Sequence, residues 1–86
     1  MQFAARNGYT DIAKFLVSMG ADLNARDNYN GWTALHRAAT NGHLGVTQIL
    51  MSNNASITIQ DIPGNTAWDY ANSKIRDMFP ELNPNK

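Results

Sequence analysis

The side chains in this sequence best suited to chemistry are two histidines, His36 and His43, and two pairs of aspartates, Asp22 with Asp27 and Asp61 with Asp69. Histidine can hold zinc or move a proton near neutral pH, and two carboxylates converging in a cleft can share general acid and base work. The spacing argues against both uses. A helical zinc pair needs histidines at i and i+4, no such pair occurs, and no carboxylates fall at a triad spacing beside either ring. Asp27 and Asp61 each open a segment that reads as a turn, where a short carboxylate accepts from nearby backbone N–H groups. The chain has no cysteine, which removes disulfides, thiolate nucleophiles and cysteine-based metal sites together. Neither a glycine-rich phosphate loop nor a Gly-x-Ser-x-Gly elbow occurs. The expectation is therefore no catalytic residue, no metal ligand, no cofactor and no small-molecule substrate, hence not an enzyme.

The elements that carry these residues belong to one small core. Eighty-six residues leave no room for a second domain, and a chain of this length buries only about 60–65% of its unfolded surface. The hydrophobic share of 43% is ordinary, and no apolar run approaches the ~20 residues of a membrane span. Met1-Gln2-Phe3-Ala4-Ala5-Arg6 lacks the basic and apolar regions of a signal peptide. Seven basic residues balance seven acidic ones, so the chain has no overall field to gather nucleic acid or anionic membrane.

Sliding the sequence over itself exposes a repeat. Ala4-Ala5-Arg6-Asn7-Gly8 aligns with Ala38-Ala39-Thr40-Asn41-Gly42, and Ile12, Phe15, Leu16 and Ala21 align with Val46, Ile49, Leu50 and Ala55, all at an offset of 34. Gly31 to Ala38 aligns with Gly64 to Ala71 at an offset of 33, because the turn Asp27 to Gly31 holds one residue more than Asp61 to Gly64. Within each copy the stripes Ile12/Phe15/Leu16, Val46/Ile49/Leu50 and Ile75/Met78/Phe79 fall at i, i+3, i+4, one face of a helix. A shorter helix precedes each stripe, with Thr33 or Thr66 as N-cap and small alanines for close approach. Gly8 and Gly42 suit the turn between the two helices, and Gly20 and Asn54 suit the left-handed residue that ends the second. Met19, Met51 and Met78, beside these stripes, read as core or edge filler. Four residues are missing between the two helices of the last copy.

Gly31-Trp-Thr-Ala-Leu-His-Arg-Ala-Ala39, Asn41-Gly-His-Leu44 and Gly20-Ala-Asp-Leu-Asn-Ala-Arg-Asp27 together resemble the ankyrin repeat, with its T-P-L-H-x-A signature and ~33-residue period. The resemblance covers residues 1–79. It implies an all-α solenoid of helix-turn-helix pairs with β-turn or hairpin fingers, about two and a half repeats long. The partial first repeat would be 1–26, the complete second 27–60 and the shortened third 61–79. The tail 80–86, with two prolines and no periodicity, is expected to be disordered. Alanines 34 and 67 replace the family's proline, and Trp68 and Asp69 replace leucine and histidine in the last copy.

The resemblance also implies a non-catalytic protein–protein interaction module, intracellular in the cytoplasm and/or nucleus. Its partner would be another protein, met by finger turns and the concave helix face. Carried onto this sequence, the contact positions are Arg26, Asn28, Tyr29, Asn30, Trp32, Arg37, Thr40, Asn41, Ile62 and Asn65, joined by Arg6, Asn7 and Gln60. Tyr, Trp and Arg are enriched at binding hot spots, which singles out Trp32, Tyr29 and Arg37. Two roles are open to Trp32: partner anchor, or local packing over the inserted Asn30. Trp68, at the family's leucine position, reads as core. His36 is expected to bond Thr33 and the neighbouring turn, and His43 the loop backbone. Leu16 with Asp22-Leu23-Asn24 resembles the pattern at which ankyrin asparagines are hydroxylated, making Asn24 the candidate position, with a turn role as its alternative. The alternative function is a C-terminal capping segment of a longer array, with a mainly structural role.

Overall fold

A computed structural model describes residues 1–85 of the chain. It is all-helical, with no strand among the described residues. The helices come in three pairs: α1 (Gln2–Asn7) with α2 (Thr10–Ser18), α3 (Ala34–Thr40) with α4 (Leu44–Ser52), and α5 (Ala67–Tyr70) with α6 (Ser73–Met78). The first helices stack in a row, α1 on α3 on α5, and α2 stacks on α4 beside them.

Small residues make the row possible. Ala4, Ala5, Ala38, Ala39, Ala67 and Ala71 are all buried, so neighbouring first helices approach without large side chains between them. The second helices supply bulk, with Val46, Leu50 and Ile75 fully buried. Pair-to-pair geometry is fixed at the turns. Gly8 holds a left-handed φ of 72°, and a Cβ there would lie 2.6 Å from the His43 ring, so the second pair rests directly on backbone of the first. Gly20 and Asn54, at φ 81° and 63°, take the left-handed conformation after α2 and α4.

One expectation is corrected. The segment after α6 is not a loose tail: Pro80–Leu82 forms one 3-10 turn, with Leu82 N–H donating to Phe79 O at 3.0 Å. Proline presets the first φ of that turn, and Phe79 and Leu82 close the C-terminal edge of the core, both buried. Lys86 lies outside the described residues. The helical stripes differ in burial from pair to pair: Ile12 is exposed where its equivalents Val46 and Ile75 are buried, Leu16 is half-buried where Leu50 and Phe79 are buried, and Phe15 and Met78 are exposed where Ile49 is half-buried. Met19 is likewise exposed, whereas Met51 and Trp68 pack partly buried against the core.

Candidate partner-binding surface

The fingers are built around two aspartates. Asp27 heads the first, and its Oδ1 accepts from the backbone N–H groups of Tyr29, Asn30, Gly31 and Trp32 at 3.0–3.3 Å. Burial raises the Asp27 pKa, but these four donors outweigh it and hold the carboxyl below its ordinary range. Its other oxygen pairs with the Arg37 guanidinium, which also donates through Nε to Gln2 Oε1 at 2.7 Å. One arginine thus links the finger, its own helix and the preceding pair.

Asp61 heads the second finger and is buried. It accepts from Asn65 N–H at 2.7 Å, from Trp32 Nε1–H at 2.9 Å and from the Tyr70 hydroxyl. Burial again raises the pKa, and the Tyr70, Asn65 and Trp32 donors bring it below the ordinary value. Trp32 sits between aromatic neighbours, with ring centroids 5.0 Å from Tyr70 and 5.9 Å from His36, and the Arg37 guanidinium carbon 5.3 Å from its own.

His36 is a connector. Its Nδ1 accepts from Thr33 N–H at 3.1 Å, which leaves Nε2 to donate to Asn65 O at 2.9 Å, and so the ring joins its own N-cap to the next finger. His43 reaches across the other boundary, Nε2 to the backbone oxygen of Arg6 at 3.0 Å. The finger backbones are stitched as well. Ile62 N–H donates to Asn30 O at 2.8 Å, and Arg26 Nη2–H to Gln60 O at 3.0 Å.

These bonds sort the expected contact residues into two groups. Trp32, Arg37 and Asn65 are half-buried and committed to neighbours, and of the two roles open to Trp32 its contacts are those of local packing, since its ring and its N–H are both used internally. Asn30 is half-buried at the seam, and Arg26, although exposed, is tied to Gly31 O and Gln60 O. Asn28, Tyr29, Thr40, Asn41 and Ile62 remain exposed, as do Arg6, Asn7 and Gln60. Tyr29 is 91% exposed and Ile62 70%, at the tips of fingers joined by the Ile62–Asn30 bond. Asn24 uses its Oδ1 to accept from Ser56 N–H at 2.8 Å and so joins two successive turns. Tyr70 was not singled out from the sequence. Its register equivalent is Arg37, and an arginine-to-tyrosine exchange gives no sign that both side chains reach a finger aspartate. Among the described residues no three His, Asp or Glu side chains gather as a metal cluster, and no helix is long and apolar enough to cross a membrane.

Stacked helix pairs, Thr33 and Thr66 N-caps, and a histidine bonded to the following finger define a helical repeat solenoid. A family model described as ankyrin repeats (3 copies) matches residues 1–75, and the chain belongs to the ankyrin-repeat family. It is 38% identical over 82 residues to "Protein phosphatase 1 regulatory subunit 12A" of Mus musculus, covering 95% of this chain and 8% of that protein. It is 42% identical over 72 residues to "Probable E3 ubiquitin-protein ligase XBOS33" of Oryza sativa subsp. japonica, covering 83% of this chain and 14% of that protein. A "Putative ankyrin repeat protein" of Rickettsia bellii is 38% identical over 65 residues, covering 74% of this chain and 27% of that protein. The chain thus spans a small part of the length of each of these relatives. Ankyrin repeats generally serve as protein–protein interaction modules.

Proposed function

We propose that this chain is a non-catalytic module that binds another protein through its finger tips, with Tyr29 and Ile62 as the apolar anchors. The observation that carries this reading is the contrast between the tips and their supports. Asp27, Trp32, Arg37, Asp61 and Asn65 are all engaged in internal bonds, whereas the Tyr29 ring beyond them is 91% exposed. Covering the Tyr29 ring with a partner removes apolar surface from water, which favours binding, and a preordered tip loses little entropy on binding.

Asn28, Thr40 and Asn41 supply the exposed polar rim on the same reading. Asn24 enters it as a turn residue, since its side-chain oxygen is engaged by the Ser56 N–H. Of the three residues singled out from the sequence, Tyr29 is the anchor on this reading, and Trp32 takes the packing role as the buttress of the finger. A regulatory subunit among the relatives fits a module of this kind, and the relatives named as ubiquitin ligases match over only a small part of their length.

The test is capture of native partners by the immobilised chain, compared with the double variant Tyr29→Ala/Ile62→Ala. The proposal expects capture to be lost while the melting curve is unchanged, because neither side chain is buried. Undiminished capture by the double variant would refute it. Trp32→Ala is the wrong probe, because it removes the Asp61 bond and alters the finger itself.

A further inference from the structure

Asparagine is followed directly by glycine at Asn7-Gly8, Asn30-Gly31 and Asn41-Gly42. Glycine has no side chain to hinder its backbone nitrogen, and in such a pair that nitrogen can attack the amide carbon of the preceding side chain. The two atoms meet only after the peptide unit between the residues rotates, which breaks the hydrogen bonds that hold it. The side-chain amide must also be free to turn.

The fold holds the three pairs very differently. At Asn30-Gly31 the asparagine carbonyl accepts from Ile62 N–H at 2.8 Å, and the glycine N–H donates to Asp27 Oδ1 at 3.0 Å. The half-buried side chain is pinned as well: oriented with its nitrogen toward Asp27, it donates to Oδ1 and Oδ2 at 2.9 and 3.0 Å. An anionic acceptor also keeps the proton on the glycine nitrogen, the atom that must lose it. Asn7 and Asn41 occupy equivalent positions of the repeat and stand exposed, each at the turn between the two helices of a pair. Gly42 N–H meets the neutral Ala39 O at 3.3 Å, and the turn after α1 closes on Ala4 O. Each side chain is held by one neutral carbonyl, Asn7 Nδ2 by Phe3 O at 2.9 Å and Asn41 Nδ2 by Arg6 O at 3.4 Å.

We propose that Asn7 and Asn41 are modification sites at which the folded chain loses ammonia to water, and that the Asp27 finger shields Asn30 from the same reaction. The step balances with water as the only co-reactant. The Gly8 or Gly42 nitrogen gives its proton to hydroxide and bonds to the asparagine Cγ, the side-chain nitrogen leaves as ammonia, and the resulting cyclic imide takes up water at one of its carbonyls. One opening leaves aspartate, the other an isoaspartate whose backbone is longer by a methylene. Either product puts a carboxylate at the C-terminal end of α1 or α3, where the helix dipole opposes it. At position 41 it also replaces the donor to Arg6 O with an acceptor, so the seam that His43 ties to the same oxygen loosens as product accumulates. Both sites lie outside the fingers, and their chemistry requires no partner.

The test incubates the 86-residue chain at mildly alkaline pH, folded and in urea, with ion exchange to separate acidic products and peptide mass mapping to locate them. The chain carries no formal net charge, so each conversion shifts its elution. In urea the three asparagines should convert at similar rates. In the folded chain Asn7 and Asn41 should convert about tenfold faster than Asn30, the factor that a hydrogen bond to a charged acceptor represents. The double variant Asn7→Gln/Asn41→Gln should lose most of the early acidic product, because glutamine must close a larger ring. Conversion of Asn30 as fast as the other two in the folded chain would overturn the proposal. So would a folded chain that keeps all three amides while the urea sample loses them, or acidic product that forms undiminished in the double variant.

Discussion

The Trp32 indole N–H donates to Asp61 Oδ2 at 2.9 Å, across the boundary between the second and third helix pairs. The bond turns the largest side chain of one finger into part of the floor of the next. It also explains how a buried carboxylate is tolerated: Asp61 is only 4% exposed, and every donor it meets is a neutral N–H or O–H group placed by the fold. Trp32→Phe keeps most of the ring but deletes the donor. Hydrogen bonds to charged groups are worth about 1.5–3 kcal/mol, so this variant should lose stability on that scale in urea melts. A loss no larger than a few tenths of a kcal/mol would mean that water replaces the indole.

Acid should loosen both fingers together. The Asp27 and Asp61 carboxyls are both held below the ordinary value of 3.8, burial being outweighed at Asp27 by backbone donors and at Asp61 by Tyr70, Asn65 and Trp32. A depressed folded-state pKa means the unfolded chain binds more protons as pH falls through 3.8, so the contribution is fully present above that value and is lost progressively below it. Stability measured against pH should therefore decline below about pH 4, and Asp61→Asn should make that decline shallower. An unchanged slope in Asp61→Asn would place the acid sensitivity elsewhere.

The repeat was legible because its signals are local and periodic: threonine caps, alanine pairs, left-handed glycines and an i, i+3, i+4 stripe recur at a fixed offset. The bonds of Asp27 to its own finger were readable for the same reason, since a turn carboxylate has its donors within five residues. The partners of Trp32 and Arg37 were not. Trp32 finds Asp61 29 residues away and Arg37 finds Gln2 35 residues away, and no residue type at those positions announces the meeting. Tail order was hidden differently. Leu82 is a lone apolar residue between two prolines, which shows no period, yet it has a hole to fill because the shortened third pair leaves the core edge open.

Leu50 lies at the centre of the array and is fully buried. Leu50→Ala removes three methyl-sized groups from a site walled by rigid helices, at a cost of about 2–5 kcal/mol. A domain this small holds a total of only about 5–10 kcal/mol, so the variant should lose most of its cooperative melt at physiological temperature. Cooperative unfolding near the midpoint of the unmodified chain would show that the site collapses to fill the space.

Leu82 offers the sharper test, because the two descriptions of the C-terminal segment give opposite results. A residue in a disordered tail contributes nothing when truncated, whereas a fully buried leucine typically loses about 2–5 kcal/mol on conversion to alanine. The 3-10 turn at Pro80–Leu82 is too short to persist alone, so its order comes from the contacts of Phe79 and Leu82 with the core. Leu82→Ala should thus lower the thermal midpoint by several degrees and at the same time release the amides of 79–83 to fast hydrogen exchange. Glu81→Ala, on the exposed side of the same turn, should do neither. If Leu82→Ala and Glu81→Ala melt alike, the third helix pair is closed by Ile75 and Phe79 alone, and the turn is a passenger on the edge of the core.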